Sequence, residues 1–397
     1  MDHRSPHIQV KGLWKIFGDN PERALQPEYA SLSRSAIQEQ LGAVIGLRDV
    51  TFNVDRGQTF VVMGLSGSGK STLVRCLIRL VEATKGQIYF DGEDILTYSP
   101  DQLMQFRRHK IAMVFQHYAL LPHRRVMDNV AYGLEIRGME KEARYQAASE
   151  AIETVGLKGW EDYYPREMSG GMQQRVGLAR ALAVDPEVLL MDEPFSGLDP
   201  LIRSDMREEL MSLQTKLRKT IVFITHDLDE ALKLGDRVAI MRDGAVVQEG
   251  SPEEIVTKPA DDYVTNFVKD VSWAKVIRTK AIMSEPREII HERQEPSFAL
   301  QTMRNNNAQM LFLVGRDRVL KGLIAHDEVA ALAHQNRVNL EGARIQPALT
   351  AEPDSYIETI IPMAAVTDHP IAVVDERGRL LGEVRRAALL AGMTALQ

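Results

Sequence analysis

Two stretches of this sequence carry the residue types needed to hold phosphate. Residues 63–72 read MGLSGSGKST. From Gly64 to Ser71 they fit the pattern G-x-x-x-x-G-K-[ST], after an apolar run and before the helical run STLVRCLIRLV. Glycines let backbone N–H groups curl around phosphate oxygens, and the positive end of the following helix adds to the attraction. Lys70 offers a point charge to the β- and γ-phosphates of a nucleotide, and the Ser71 hydroxyl can ligate Mg²⁺. The second stretch, SGGMQQRVGLARAL (169–182), begins with a helix-capping Ser169. Gly170 and Gly171 leave N–H groups bare at the positive end of that helix, which makes an anion site.

An acidic pair supplies the chemistry. VLLMDE places Asp192 at the end of an apolar strand, where it can hold the magnesium directly or through water. Glu193, its neighbour, points elsewhere and is placed to orient or deprotonate an attacking water. These groups need a rigid support. TFVVMG (59–64), EVLLMDE (187–193) and TIVFITH (220–226) are short apolar runs ending in polar residues, as buried parallel strands do. An α/β core over about residues 8–250 follows. RVAIMRDGAVVQEG (237–250) predicts a hairpin turning at Asp243-Gly244. Between the first two strands, apolar residues at Leu32, Ala36, Ile37, Leu41, Val44 and Ile45 predict an inserted amphipathic helix over about 27–47, either packed as a decoration or serving as a docking surface.

In the order and spacing of its motifs the chain resembles the ABC transporter ATPases. SGGMQ (169–173) matches their signature, Gln116 in VFQ the Q-loop, SGLDP (196–200) the D-loop and His226 in THD the switch histidine. Phe17 in KIFG matches the residue that stacks on adenine. The resemblance implies an ABC-type P-loop NTPase fold with a helical subdomain. It implies ATP contacts at Phe17, Gly64, Ser66, Gly67, Ser68, Gly69, Lys70, Ser71, Thr72 and Gln116, with Mg²⁺ at Ser71, Gln116 and Asp192. Glu193, His226 and Lys70 become the expected catalytic residues. It also implies why one chain has two grips on phosphate: two copies pack head to tail, and Ser169, Gly170, Gly171, Gln173 and Asp199 of one copy complete the site of the other. A homodimer with two composite sites is therefore expected.

HYALLPHRRVMDNVAYGLE (117–135) resembles the importer segment that docks a permease, and the chain looks like the subgroup serving glycine betaine and related quaternary amines. The inserted helix, FQHYALLPHR and GDRVAIMRDGAVVQEGSPEEI carry that likeness; Pro194 and Gly197 depart from it, since many of those relatives have Ala there. Expected partners are integral membrane permease subunits and, indirectly, a periplasmic or extracellular substrate-binding protein. The expected location is the cytoplasmic face of the cell membrane. An ATPase for another small solute and a soluble regulatory ABC protein are the alternatives.

The bulk composition agrees. At 397 residues, 44% hydrophobic and 26% charged, the chain can bury the cores of about two or three domains. A formal net charge of −7 argues against a nucleic-acid binder. One cysteine, Cys76, permits no intrachain disulfide and suits a reducing cytosol. No signal peptide and no run of about 18 apolar residues is read in the sequence. The ATPase domain is expected over 1–275 and a smaller α+β domain over 276–397. In the latter, MLFLVGRDRVLKGLIAHDEVAAL (310–332) aligns without gaps to HPIAVVDERGRLLGEVRRAALL (369–390), which implies two copies of one strand-turn-strand-helix unit. The pair resembles tandem CBS repeats, with Glu328 the one residue preserving a nucleotide-binding carboxylate. A structural or dimerising role, sensing of ionic strength and nucleotide binding all remain open for it.

Overall fold

The computed structural model describes residues 6–29, 32–116, 119–269, 271–286 and 289–394. The chain divides into compact units at Met1–Val271 and Ser272–Gln397, a few residues before the boundary expected from the sequence.

Among the described residues the first unit has ten strands: β1 (Ile8–Phe17), β2 (Val44–Val54), β3 (Thr59–Met63), β4 (Lys85–Phe90), β5 (Glu93–Asp94), β6 (Ile111–Val114), β7 (Val188–Asp192), β8 (Thr220–Thr225), β9 (Arg237–Arg242) and β10 (Ala245–Gly250). They form an antiparallel sheet ordered β2-β1-β4-β5 and a sheet ordered β10-β9-β3-β8-β7-β6, parallel except at β10. The central parallel strands β3 and β8 are buried along their whole length, the state their unbroken apolar sequences require. The β9–β10 hairpin turns at Asp243 and Gly244, both with positive φ (51° and 86°), as the Asp-Gly pair predicts.

Eight helices of this unit matter for the site: α1 (Arg34–Leu41), α2 (Lys70–Leu77), α3 (Pro100–His109), α4 (Val126–Ile136), α5 (Lys141–Thr154), α6 (Gly170–Ala183), α7 (Pro200–Leu217) and α8 (Leu228–Leu234). Helix α2 joins one apolar core with both sheets: Leu73, Val74 and Leu77 are buried with Val10, Phe52, Phe60 and Leu190, and the rings of Phe52 and Phe60 stack at 4.8 Å. Cys76 lies in that core, and burial pushes its thiol up to about 12, so it is an apolar filler rather than a reactive group. Helices α4, α5 and α6 pack on one another as the expected helical subdomain.

The inserted helix is shorter than the periodicity predicts. Residues 30 and 31 of the expected span lie outside the described residues. Helix α1 starts after the Ser33 cap and stops at Gly42, which is left-handed (φ 64°). Val44 and Ile45 continue the apolar spacing but are β-branched, and they pair in β2 with Phe17 and Ile16. Ile37 and Leu41 of the helix pack with Ile16, Ala24, Ala43 and Ile45.

The second unit has six strands among the described residues: β11 (Ile289–His291), β12 (Met310–Val314), β13 (Leu320–Ala325), β14 (Thr350–Ala351), β15 (Ile371–Val374) and β16 (Leu380–Val384). They form two three-stranded sheets, β11-β12-β13 and β14-β15-β16. The repeat seen in the sequence is also a repeat of register: Val314 faces Leu320 and Leu313 faces Gly322, just as Val374 faces Leu380 and Val373 faces Gly382. Phe312, Val314 and Leu323 of one copy share a core with Ala372 and Leu380 of the other.

Asn129 on α4, fully buried, holds the chain that enters that helix. Its amide nitrogen donates to the carbonyls of Leu121, Arg124 and Arg125 at 3.1, 2.9 and 3.1 Å, and its oxygen accepts from the Leu121 N–H at 2.8 Å. Replacing it with alanine leaves buried backbone groups without partners, at a cost of about 1–3 kcal/mol. Asn129→Ala is therefore expected to lower the free energy of unfolding by that amount, and the urea midpoint with it, while leaving ATP affinity unchanged; equilibrium unfolding and nucleotide titration check both.

Candidate functional site

Four adjacent strands of the parallel sheet each deliver a chemical group at the C-terminal end, where open α/β sheets bind ligands. β3 runs into the glycine loop, β8 ends before His226, β7 ends in Asp192 and Glu193, and β6 is followed by Gln116. The registers make these neighbours. Asp192 pairs with Ile224, and Met63 with Thr225.

The loop needs its glycines. Gly64, Gly67 and Gly69 have φ of 154°, 79° and 109°. A Cβ on Gly64 would come within 2.3 Å of the Met241 carbonyl oxygen, and one on Gly69 within 2.5 Å of that of Gly46. Both contacts are with backbone, which cannot swing aside. Lys70, 5% exposed, donates from Nζ to the carbonyls of Gly64 (2.8 Å) and Leu65 (3.1 Å). Burial pulls its ammonium below the usual lysine range, and the charges of Glu193 and Asp192 oppose that fall.

The Ser71 hydroxyl donates to Asp192 at 3.3 Å. Burial raises the Asp192 carboxyl; the bond from Ser71 works the other way, and Glu193 adds to the rise. A hard divalent cation between this hydroxyl and this carboxylate would relieve that burial, so the donor set fits Mg²⁺. Glu193 sits in the left-handed region (φ 46°), a strained geometry for a non-glycine residue. It separates the two adjacent acids: Asp192 meets Ser71, whereas Glu193 accepts from His226 Nδ1–H at 2.9 Å. Gln116 Nε2 makes longer contacts, 3.5 Å to Glu193 and 3.3 Å to Ser196.

Lys70, Ser71, Gln116, Glu193 and His226 open onto a cavity of about 670 Å³, whereas Gly64, Ser68 and Asp192 are not part of its wall. Its wall includes Phe17, Gly46, Lys70, Gln116, Glu193 and His226. Phe17 is 42% exposed, with Lys15 Nζ 4.8 Å from its ring centroid and Gly46 so close that a Cβ there would reach within 2.7 Å of the ring. Five lining residues were not anticipated: Arg34, Val44, Gly46, Leu65 and Ser196. Ser196 lies within the SGLDP motif, and Val44 follows from its pairing with Phe17. No sequence signal singled out Arg34.

The other phosphate grip lies elsewhere. Ser169 caps α6, accepting from the Met172 N–H at 3.4 Å, and is exposed. Gln173 donates to the Met168 carbonyl, and Asp199 is exposed at the start of α7 with no side-chain capping bond. None of Ser169, Gly170, Gly171, Gln173 and Asp199 lines the Lys70 cavity.

A further group, His7, Asp91 and Glu187, brings ligand atoms within 4.8 Å of one another. Arg56 already pairs with Asp91, and Lys110 with Glu187, so it is a balanced salt-bridge cluster.

A family model for ABC transporters matches residues 47–196. The glycine betaine/carnitine transport ATP-binding protein GbuA of Listeria monocytogenes is 46% identical over 387 residues, 98% of this chain and 97% of its own. The chain belongs to the ABC transporter ATP-binding proteins. It is an ATP-hydrolysing transport subunit of that family. The glycine betaine transport ATP-binding protein OpuAA of Bacillus subtilis is 45% identical over 99% of this chain and 94% of its own length. The trimethylamine N-oxide transport ATP-binding protein TmoW of Ruegeria pomeroyi is 53% identical, over 69% of this chain and 80% of its own. Among solved structures, the dimeric form of the bacterial ABC transporter cassette MJ0796 superposes with a TM-score of 0.52 and 30% identity, covering 62% of this chain and 98% of that one. Among the described residues, no helix of this ABC subunit is long and apolar enough to cross a membrane.

Gly64→Ala tests the loop geometry. The substitution is expected to weaken ATP binding at least tenfold, because the loop must shift to clear the Met241 carbonyl. Calorimetric titration checks it, and Gly67→Ala, whose Cβ would meet nothing within 4 Å, serves as the milder comparison.

Proposed function

We propose that this subunit energises the import of a quaternary ammonium osmolyte, with glycine betaine the first candidate. The observation that carries the reading is coverage. GbuA and OpuAA align through almost the whole chain, including the second unit, whereas the match to the trimethylamine N-oxide relative covers 69% of it. Trimethylamine N-oxide is the second reading, favoured by the higher identity over the aligned part.

In the proposed mechanism, the base of ATP stacks on Phe17 and its phosphates lie along the loop from Gly64 to Thr72. Lys70 faces the β- and γ-phosphates. Ser71, Asp192 and Gln116 are the residues to hold Mg²⁺, which when bound neutralises phosphate charge. Glu193 orients the attacking water and takes its proton, and His226 fixes the carboxylate through the Nδ1 bond. A triphosphate lying in this cavity has one side bare. We assign its cover to Ser169, Gly170, Gly171, Gln173 and Asp199 of a second copy packed head to tail, with water other than the nucleophile excluded. ATP then holds the two copies together, and hydrolysis releases them.

The motion passes to a permease through Gln116. Phe115, next to it, lines a groove of about 400 Å³ with Met104, Tyr132, Ile136 and Val184. Met104, Phe115 and Ile136 are exposed apolar residues, a surface suited to a cytoplasmic helix of the permease. His117 and Tyr118 of the docking segment lie outside the described residues. The subunit would then sit on the cytoplasmic face of the membrane, with a periplasmic or extracellular binding protein supplying substrate on the other side. The second unit is proposed as a tandem CBS pair with a regulatory role. Its Glu328 carboxylate accepts from the Arg344 N–H at 2.9 Å, and Glu383, 3% exposed, pairs with Arg385, so both acids already serve contacts within the unit; this favours ionic-strength sensing or dimerisation over nucleotide binding.

The test is uptake of labelled glycine betaine, choline and trimethylamine N-oxide by cells carrying Glu193→Gln. That variant is expected to bind ATP, to hydrolyse it about 10²–10⁴-fold more slowly, and to abolish glycine betaine uptake. Loss of trimethylamine N-oxide uptake alone would favour the second reading. Retention of all three uptakes would refute the importer role.

A further inference from the structure

The inserted segment between β1 and β2 reaches the nucleotide cavity. Its capping residue Ser33 accepts from the Ala36 N–H at 3.2 Å and fixes the first turn of α1. Ile37, 1% exposed, anchors the helix on the sheet, and Arg48 clamps its approach by donating to the Leu32 carbonyl at 2.8 Å. With both ends of that turn held, Arg34 projects to the glycine loop, and its Nη1 donates to the Gly67 carbonyl at 2.8 Å. Arg34 is also part of the cavity wall, with Phe17, Lys70 and Glu193.

Three features separate this arginine from an ordinary surface anchor. A guanidinium has five N–H donors, and one bond to Gly67 leaves others for a ligand. Among the described residues, no carboxylate forms an ion pair with Arg34. Finally, the same cavity wall carries Lys70, so two cations face one space; among the described residues Glu193 is the one carboxylate in that wall, with Asp192 behind Ser71. Like charges sharing a cavity repel each other until a polyanion enters, which biases the site toward one.

We propose that Arg34 is a nucleotide-binding residue: the inserted helix exists at this position to bring a second protein cation to the phosphates of ATP. This rests on the reading of the Lys70 cavity as the ATP site and adds to it a contact supplied from outside the loop. The Gly67 carbonyl holds the guanidinium in place. When ATP enters, that bond persists, and the remaining donors meet phosphate oxygen in a charge-assisted contact. The contribution is electrostatic and falls as salt is raised.

Two substitutions divide charge from hydrogen bonding. Arg34→Gln keeps an N–H donor for the Gly67 carbonyl and removes the charge. Arg34→Lys keeps the charge. ATP is titrated calorimetrically into the full-length chain carrying Glu193→Gln, at low and high salt, with Lys70→Ala as reference and thermal melts to verify folding. Arg34→Gln is expected to bind ATP about tenfold or more weakly, with the deficit shrinking at high salt, and Arg34→Lys to stay within about threefold of the parent. If Arg34→Gln binds as tightly as the parent while Lys70→Ala does not, Arg34 is a strut for the loop and the proposal fails, with the ATP-site reading intact. An equal loss in Arg34→Lys and Arg34→Gln would likewise overturn it, since retained charge would then have counted for nothing. If neither Lys70→Ala nor the Arg34 substitutions weaken binding, the ATP-site reading itself falls and takes this proposal with it.

Discussion

A buried ammonium is the constraint on which the rest of the structure depends. Lys70 lies at the root of the glycine loop, nearly out of water, where a charge costs free energy unless it is matched. Two loop carbonyls and the field of Asp192 and Glu193 match it. That requirement sets the loop path, because the carbonyls of Gly64 and Leu65 can turn inward only where glycine permits the backbone to reverse. It also sets the sheet order, because β7 must lie close enough to β3 for its acids to be felt. In the proposed mechanism a triphosphate satisfies the same ammonium better than carbonyls do, and this preference is the binding energy that would be converted to motion.

The two neighbouring acids show how one backbone torsion divides labour. Asp192 ends β7 in extended geometry and meets Ser71. Glu193 enters the left-handed region and turns to His226. On the proposed mechanism, without that reversal both carboxylates would compete for one cation, and the water would have no base. The strain at Glu193 is held by its N–H bond to the Ile224 carbonyl, so the sheet itself keeps the residue in position.

Much of this was legible in the sequence because it depends on local pattern. The glycine loop, the apolar strands ending in polar residues, the Asp243-Gly244 hairpin and the 60-residue repeat are all short-range signals, and the repeat reappears strand for strand in the registers of β12–β13 and β15–β16. What escaped was long-range. Val44 and Ile45 fit a helix by spacing alone, and only pairing with β1 reveals a strand. Asn129 reads as a solvent-facing polar residue in a helix until four backbone groups are found around it. Arg34 reads as one charge among many, since nothing nearby in sequence tells that α1 begins against the loop. The link from Glu193 to His226 spans 33 residues and exists because β7 and β8 are adjacent.

The chain's own cavity contains one grip on phosphate, and its second grip faces elsewhere, so catalysis is proposed to need two copies. The direct measurement is ATPase activity per subunit across a dilution series, with sedimentation recording the oligomeric state at each concentration under turnover. The account predicts that specific activity collapses as the protein becomes monomeric and rises with the dimer fraction. Full specific activity in a sample verified as monomer would contradict it.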